Sequence, residues 1–171
     1  MRKQIYLLIG PKGSGKTFIG SLFQEHFHID FVRVENWVLG MKEEGRLDDQ
    51  AYVKQSFKVI EKGVREALEN TDNLVFESTG LTEYFDRMLS DLRRDFKVTT
   101  IKVHADREKC IQRVRTRDQS IHINVSDNQV IQVNEAVHKK DMKTDYTIEN
   151  SEKSEDELKS EIRKILHDRA P

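Results

Sequence analysis

Short apolar runs and amphipathic segments alternate along this chain. Runs bounded by polar residues predict buried strands, whereas apolar residues that recur every three to four positions predict helices that cover a sheet. The predicted strands cover residues 5–9, 29–34, 73–76, 97–103 and 146–148. Because these strands alternate with helices, we expect an α/β fold in three layers, with a parallel sheet of about five strands.

The helical segments differ in the strength of their signal. A long apolar stripe predicts a helix over residues 49–70, and a capping box at Ser154 and Glu157 predicts the start of the last helix. Other helices are predicted over 16–26, after the third strand, from Asp106 and over 130–139.

Two segments lack a regular pattern. Residues 41–48 are polar and are predicted as a short helix or loop. Residues 118–127 suit either brief extended structure or a mobile flap, because apolar and polar positions alternate only loosely there.

Composition bounds the class of protein. The 171 residues suit one domain, and 29 basic against 30 acidic side chains leave a formal charge of −1, which favours neither nucleic acid nor membrane as a partner. The single cysteine, Cys110, has no partner for an internal disulfide, which is typical of a reducing compartment. No apolar run is long enough for a bilayer, so we expect a cytoplasmic protein.

One motif follows the first predicted strand directly. It has the pattern G-x-x-x-x-G-K-[ST] and comprises Gly10, Pro11, Lys12, Gly13, Ser14, Gly15, Lys16 and Thr17. In such a loop, glycines let backbone N–H groups surround phosphate oxygens, and the positive end of the next helix faces the same site. Lys16 can reach the β- and γ-phosphates, and Thr17 can place its hydroxyl on Mg²⁺. The motif predicts a bound nucleoside triphosphate.

After the fourth predicted strand, Arg113 and Arg117 form an R-x-x-x-R pair, which on a helix projects from one face. With the preceding motif, nearly the whole chain resembles the P-loop small-molecule kinases, which include adenylate, shikimate and gluconate kinases. The resemblance implies a single P-loop NTPase domain over 1–171 with a short lid over about 113–140. It implies that Arg113 and Arg117 hold the nucleotide and its phosphates, and that Asn150 lies in a turn that backs the adenine.

Two carboxylates complete the candidate site. Glu77 follows the third apolar run, where P-loop enzymes keep a carboxylate for Mg²⁺, although it could instead only cap the next helix. Glu35 follows the second apolar run, where shikimate and gluconate kinases carry an aspartate that contacts the acceptor hydroxyl. An exposed acid in a loop is an equal alternative for Glu35. Trp37 either walls the acceptor pocket or packs in the core. The predicted catalytic residues are thus Lys16, Arg113, Arg117 and Glu35, and the predicted metal ligands are Thr17 and Glu77.

The resemblance implies an ATP- and Mg²⁺-dependent phosphotransferase acting on a hydroxyl or phosphate of a small molecule or nucleotide. Shikimate is disfavoured, because the chain lacks the Phe-Arg pair of shikimate kinases. A polynucleotide 5′-kinase-like or toxin-like phosphotransferase is the alternative, so a nucleic-acid acceptor is allowed but not favoured. A non-catalytic nucleotide-binding protein and a GTPase switch are further alternatives, the latter weakened by defective copies of both guanine-nucleotide motifs. The oligomeric state does not follow from the sequence.

Overall fold

Five parallel strands form the central sheet in the computed structural model, which describes residues 2–43, 49–117 and 126–168. The strands are β1 (Gln4–Ile9), β2 (Asp30–Phe31), β3 (Asn73–Ser78), β4 (Lys97–His104) and β5 (Tyr146–Glu149). Their spatial order is β2-β3-β1-β4-β5, and every neighbouring pair is parallel. The predicted five-stranded parallel sheet is therefore confirmed, with β1 at its centre.

Helices in the described part of the chain cover both faces of this sheet. They are α1 (Lys16–Phe27), α2 (Val34–Glu43), α3 (Asp49–Asn70), α4 (Glu83–Asp95), α5 (Arg107–Thr116), α6 (Asp127–Lys140) and α7 (Glu155–His167). Apolar residues of α2, α3 and α4 form the core on one face, and those of α1 and α7 form the core on the other. The predicted three layers are present. None of these described helices combines the length and the hydropathy needed to cross a membrane.

The central strand contributes apolar side chains to both cores. Ile5, Leu7 and Ile9 lie in the core with α2, α3 and α4, whereas Tyr6 and Leu8 lie in the core with α1 and α7. Successive side chains of a strand face opposite sides, so a strand buried on both faces needs apolar residues throughout. This packing holds the carboxyl end of β1, and the loop that follows it, in a fixed position.

The second strand is shorter than the sequence predicted. The prediction was a strand over residues 29–34 with Glu35 in the following loop, but β2 ends at Phe31 and α2 begins at Val34. Val34 and Val38 are one helical turn apart and both pack in the core with α3, which stabilises a helix here. Glu35 therefore lies in the first turn of α2.

The two irregular segments lie partly outside the described residues. Of the segment 41–48, residues up to Glu43 belong to α2, and 44–48 are not among the described residues. Of the predicted flap over 118–127, residues 118–125 likewise lie outside them, and α6 begins at Asp127. The structure therefore tests neither the loop nor the flap.

Two helical glycines form a matched pair for a stability test. A Cβ on Gly63 of α3 would lie 2.5 Å from the Trp37 ring, whereas no described atom lies within 4 Å of the Cβ position of Gly40 in α2. We expect Gly63→Ala to lower the free energy of unfolding by about 1–3 kcal/mol, because the ring must move. Gly40→Ala should raise it by about 0.5–1 kcal/mol, because alanine favours the helix.

Urea denaturation followed by circular dichroism measures both changes. Equal free energies of unfolding for the two variants would contradict the close packing of Trp37 on α3. This packing also decides between the two interpretations of Trp37: it belongs to the core cluster and does not line the large cavity described below.

Candidate active site

The phosphate-binding loop joins β1 to α1 at the carboxyl edge of the sheet. Gly13 and Gly15 have φ angles of 81° and 95°, which glycine adopts without strain. A Cβ at Gly13 would lie 2.0 Å from the carbonyl oxygen of Cys110, and one at Gly15 would lie 2.1 Å from Nδ2 of Asn150. Both positions therefore require glycine because of backbone conformation and because α5 and the chain after β5 press against the loop.

The amino-terminal end of α1 is open towards the loop. No side chain caps the helix at Gly15, and its first turn contains no acidic residue. The hydroxyl of Ser14 is fully buried and has no hydrogen-bond partner among the described residues. An uncapped helix end carries a partial positive charge and unsatisfied N–H groups, so this arrangement fits the oxygens of a phosphate chain.

Lys16 is buried at the start of α1. Its Nζ donates hydrogen bonds to the carbonyl oxygens of Gly10, at 2.9 Å, and Pro11, at 2.8 Å. Burial lowers the pKa of Lys16 to about 8, although the Glu77 carboxylate acts in the opposite direction. The ammonium group is therefore held inside the loop by acceptors that are weaker partners than a phosphate would be.

The side chains of Thr17 and Glu77 are in contact, as two ligands of one metal ion would be. The Thr17 hydroxyl lies 3.0 Å from Oε1 and 2.9 Å from Oε2 of Glu77, which is near the carboxyl end of β3. A hydroxyl and a carboxylate are oxygen ligands of the kind that Mg²⁺ takes, and Mg²⁺ commonly completes its shell with water and substrate phosphates. The donor set therefore fits Mg²⁺, while the role of metal ligands remains a prediction.

The two arginines of the R-x-x-x-R pair have different positions. Arg113, on α5, donates from Nη2 to the carbonyl oxygen of Asn150 (2.8 Å) and from Nη1 to that of Gly13 (3.3 Å). Arg117 follows the end of α5 in extended backbone, so the two residues do not share one helix face. Both nevertheless line the same cavity. Arg113 stabilises the loop through these hydrogen bonds, and Arg117 interacts electrostatically with the acidic groups described next.

Six charged side chains line the cavity: Lys12, Lys16, Glu35, Glu77, Arg113 and Arg117. Burial lowers the pKa of Arg117, while the carboxylates of Glu35 and Glu77 act to raise it. Glu35 also favours the charged form of Lys16. The predicted site residues on α1, α2, β3 and the end of α5 thus line one cavity, in which the described residues contribute four cations and two anions.

Asn150 supports the loop from the end of β5. Its Nδ2 donates to the carbonyl oxygen of Ser14 at 2.9 Å, and its backbone N–H donates to that of His104 at 2.7 Å. The side-chain amide therefore braces the backbone of the loop. Its predicted place behind an adenine stays a prediction.

Asn134, on α6, is a site residue that the sequence analysis missed. Its Oδ1 accepts a hydrogen bond from the backbone N–H of Lys12 at 2.7 Å, and its Nδ2 donates to the Lys12 carbonyl oxygen at 3.0 Å. The side chain is buried, and no local pattern marks an asparagine 122 positions away as a partner of the loop. Through this pair, α6 is attached directly to the phosphate-binding loop.

We expect Asn134→Asp to lower the free energy of unfolding by about 1–3 kcal/mol, because a carboxylate cannot donate to the Lys12 carbonyl oxygen and a buried acceptor loses its partner. Asn128→Asp, at an exposed position of the same helix, is the matched control and should leave stability nearly unchanged. Urea denaturation of both variants is the measurement. Similar midpoints for the two variants would contradict the anchoring role of Asn134.

A cavity of about 430 Å³ extends from the loop to the first two helices after β2. One side is formed by loop residues with Glu77, Arg113 and Arg117. The other side is formed by α2 and α3 and is mainly apolar. The cavity therefore has room for a phosphate chain on one side and for a second molecule on the other.

Comparisons with known proteins concern the family and the fold of the chain. A family model described as "AAA domain" matches residues 5–140. Curated proteins give no significant match to the sequence. The chain is similar to the shikimate kinase of Bacteroides thetaiotaomicron, with 14% identity, a TM-score of 0.67, and coverage of 98% of this chain and 99% of the other.

Two more solved structures have similar folds. The APS kinase of Mycobacterium tuberculosis, in complex with AMPPNP and APS, has 13% identity and a TM-score of 0.65, with coverage of 97% of this chain and 98% of the other. A sugar kinase from Janibacter sp. has 14% identity and a TM-score of 0.65, with coverage of 98% and 95%. At such identities the likeness concerns the fold. The chain belongs to the AAA-domain family that the model describes, and it has the fold of the P-loop kinases.

Proposed function

We propose that this chain is a phosphotransferase that uses ATP and Mg²⁺ and moves the γ-phosphoryl group to the hydroxyl or phosphate of a small molecule or nucleotide. The observation that carries the proposal is the cavity that connects the phosphate-binding loop with Glu35 and the walls of α2 and α3. A nucleotide sensor or a switch needs only the loop, whereas a transferase needs room for a second substrate. The parallel pairing of every described strand also speaks against a GTPase switch, in which an antiparallel strand leads into the switch region.

Each site residue has a chemical task in this proposal. Lys16 and Arg117 bind and stabilise the phosphoryl oxygens, because charge spreads over them during transfer. Arg113 holds the loop in the shape that surrounds the phosphates, through its bonds to the carbonyl oxygens of Gly13 and Asn150. Thr17 and Glu77 would hold Mg²⁺, which when bound supplies further neutralisation of phosphate charge.

In this proposal, Glu35 accepts the proton when the attacking group is a hydroxyl. The acceptor oxygen then forms a bond to the γ-phosphorus, and the bond from that phosphorus to the β,γ-bridging oxygen breaks. The acceptor proton moves to the Glu35 carboxylate, and the leaving ADP keeps the electron pair of the broken P–O bond. Glu35 lines the same cavity as Lys16 and Thr17, which is the arrangement this transfer requires.

Radiolabel transfer from γ-labelled ATP tests the proposal. The acceptor panel comprises sugars, nucleosides, nucleoside monophosphates and 5′-OH oligonucleotides, each assayed with and without Mg²⁺. We expect Mg²⁺-dependent transfer to members of the panel and stronger competition for the site by ATP than by GTP. Tight ATP binding with no transfer to any member would favour a nucleotide sensor instead.

We expect Glu77→Gln to raise the Mg²⁺ concentration for half-maximal transfer by about 10- to 100-fold, because an amide does not replace the carboxylate that holds the metal or its waters. Glu69→Gln, at an exposed position near the end of α3, is the matched control. A Mg²⁺ titration of transfer at saturating ATP measures the change. An unaltered Mg²⁺ requirement in Glu77→Gln would remove Glu77 from the metal site and leave it as a partner of Thr17.

A further inference from the structure

The side of the cavity that faces away from the phosphate-binding loop is lined mainly by apolar side chains. We call it the acceptor wall. It comprises Val34, Val38, Tyr52, Val53, Phe57 and Ile60. All six residues belong to α2 and α3, whose helical spacing turns these side chains to the same side. Phe57 is fixed in place by the Phe85 ring, at a centroid distance of 6.1 Å.

The side-chain hydroxyl groups on this side of the cavity are directed at backbone carbonyl oxygens of α2 and α3. The Ser56 hydroxyl, which also lines the cavity, donates to the carbonyl oxygen of Tyr52 at 2.7 Å. The Tyr52 hydroxyl is directed at the carbonyl oxygen of Val38, at 3.5 Å. Burial raises the pKa of Tyr52, so its hydroxyl stays uncharged at neutral pH. The acceptor wall therefore presents mainly carbon to a bound molecule.

The described cationic side chains of the cavity lie on the side of the phosphate-binding loop. Among the described lining residues, positive charge comes from Lys12, Lys16, Arg113 and Arg117, which belong to the phosphate-binding loop and to α5 and its end. The described lining residues of α2 and α3 contribute none, and the one charged side chain they contribute is the acid Glu35. An anionic acceptor resting on the acceptor wall would lose its hydration without gaining a positive partner there, and it would face Glu35.

We infer, on the basis of the proposed function, that the acceptor is an uncharged organic alcohol with an apolar ring body. The body packs on Val38, Val53 and Phe57, and the hydroxyl points towards Glu35 and the phosphate-binding loop. Burial of apolar surface supplies the affinity, and Glu35 orients the hydroxyl and takes its proton. Carboxylated sugars, nucleoside monophosphates and oligonucleotides are expected to be poor acceptors, because each brings an anion against a wall to which the described residues of α2 and α3 contribute no cation.

Matched acceptor pairs test this inference. 4-(Hydroxymethyl)benzamide is compared with 4-(hydroxymethyl)benzoate, and 4-carbamoylphenyl β-D-glucoside with 4-carboxyphenyl β-D-glucoside, by label transfer from γ-labelled ATP; each pair keeps its hydroxyl groups and differs in the charge of the ring body. We expect kcat/KM for the neutral member of a pair to exceed that for the anionic member by about tenfold or more. Equal or better transfer to the anionic members would overturn the inference and leave the proposed function standing. No transfer to any acceptor, with ATP bound, would overturn the proposed function and the inference with it.

A charge placed in the acceptor wall provides an independent test. Val53→Asp should lower kcat/KM for the preferred neutral acceptor by about tenfold or more, because the carboxylate opposes the apolar body, while the affinity for ATP stays unchanged. Gln55→Asp adds the same charge to an exposed position of α3 two residues away and should leave both quantities unchanged. Equal activity of Val53→Asp and Gln55→Asp would overturn the placement of the acceptor on this wall.

Discussion

Replacing Lys16 with alanine is expected to lower the rate of phosphoryl transfer by about 10²- to 10³-fold, the cost of removing one preorganised donor from the developing charge. Lys16 is the first residue of α1, and its ammonium group already lies inside the loop on the carbonyl oxygens of Gly10 and Pro11. Phosphate oxygens are stronger partners than these carbonyls, so a short movement of the side chain brings the charge to the γ-phosphoryl group. Single-turnover label transfer from ATP at saturating acceptor measures the loss.

Two controls separate a catalytic loss from a structural one. Lys139→Ala removes a lysine from an exposed position of α6 and should retain the rate of the unaltered protein. Circular dichroism and thermal unfolding of Lys16→Ala should show a folded protein, since the apolar residues of both cores are retained. Transfer by Lys16→Ala at a rate near that of the unaltered protein would show that the site assignment is wrong.

Replacing Glu35 with glutamine is expected to lower kcat by about 10²- to 10⁴-fold when the acceptor is a hydroxyl, because the amide cannot take the proton. The shape of the side chain is retained, so the cavity and its contacts with α2 stay the same. We expect the affinity for ATP to change little, because the proposed role of Glu35 is on the acceptor side of the cavity. Initial rates over a range of acceptor and ATP concentrations separate the two effects.

Asp30→Asn is the matched control for Glu35→Gln, since Asp30 is an exposed acid on the neighbouring strand β2. It should leave both kcat and the KM for the acceptor unchanged. If Glu35→Gln weakened ATP binding and left the transfer rate intact, Glu35 would belong to the nucleotide side of the cavity, and the assignment of a proton acceptor would have to move to another residue.

Much of the fold follows from local patterns in the sequence. The central strand is apolar at five successive positions, as burial on two faces requires, and the observed β1 covers them. The capping box at Ser154 and Glu157 is present at the start of α7, because both of its hydrogen bonds join residues three apart. Patterns of this kind are predictable since the interacting groups are close in the chain.

The end of β2 could not be predicted in the same way. Val32 and Val34 suit a strand by their own preferences, which is why the sequence predicted one up to residue 34. The helix begins at Val34 because that residue and Val38 can pack on α3, which lies further along the chain. The free energy of burial against α3 thus decides where the strand stops.

Within the site, the sequence by itself determined the chemistry of the loop. The spacing of Gly10, Gly15, Lys16 and Thr17 after a buried strand is sufficient for that, because loop conformation, helix end and charge all depend on neighbouring residues. The parallel order of strands further implied that Glu35 and Glu77 would lie at the same edge of the sheet. These inferences need no knowledge of contacts across the molecule.

Only the tertiary structure decided which residues hold the loop and which side chains line the other side of the cavity. Asn134 forms hydrogen bonds with the backbone of Lys12, 122 positions away. Arg113 donates to the carbonyl oxygens of Gly13 and Asn150, which are 100 and 37 positions away. The apolar acceptor wall likewise exists because α2 and α3 pack beside the loop. Hydrogen bonds and packing between distant segments leave no periodic signal in the chain, since any residue of suitable chemistry can serve once the fold has brought it near. The sequence therefore determines the phosphate-binding loop, and the packing of α2 and α3 determines the apolar side of the cavity that we propose for the acceptor.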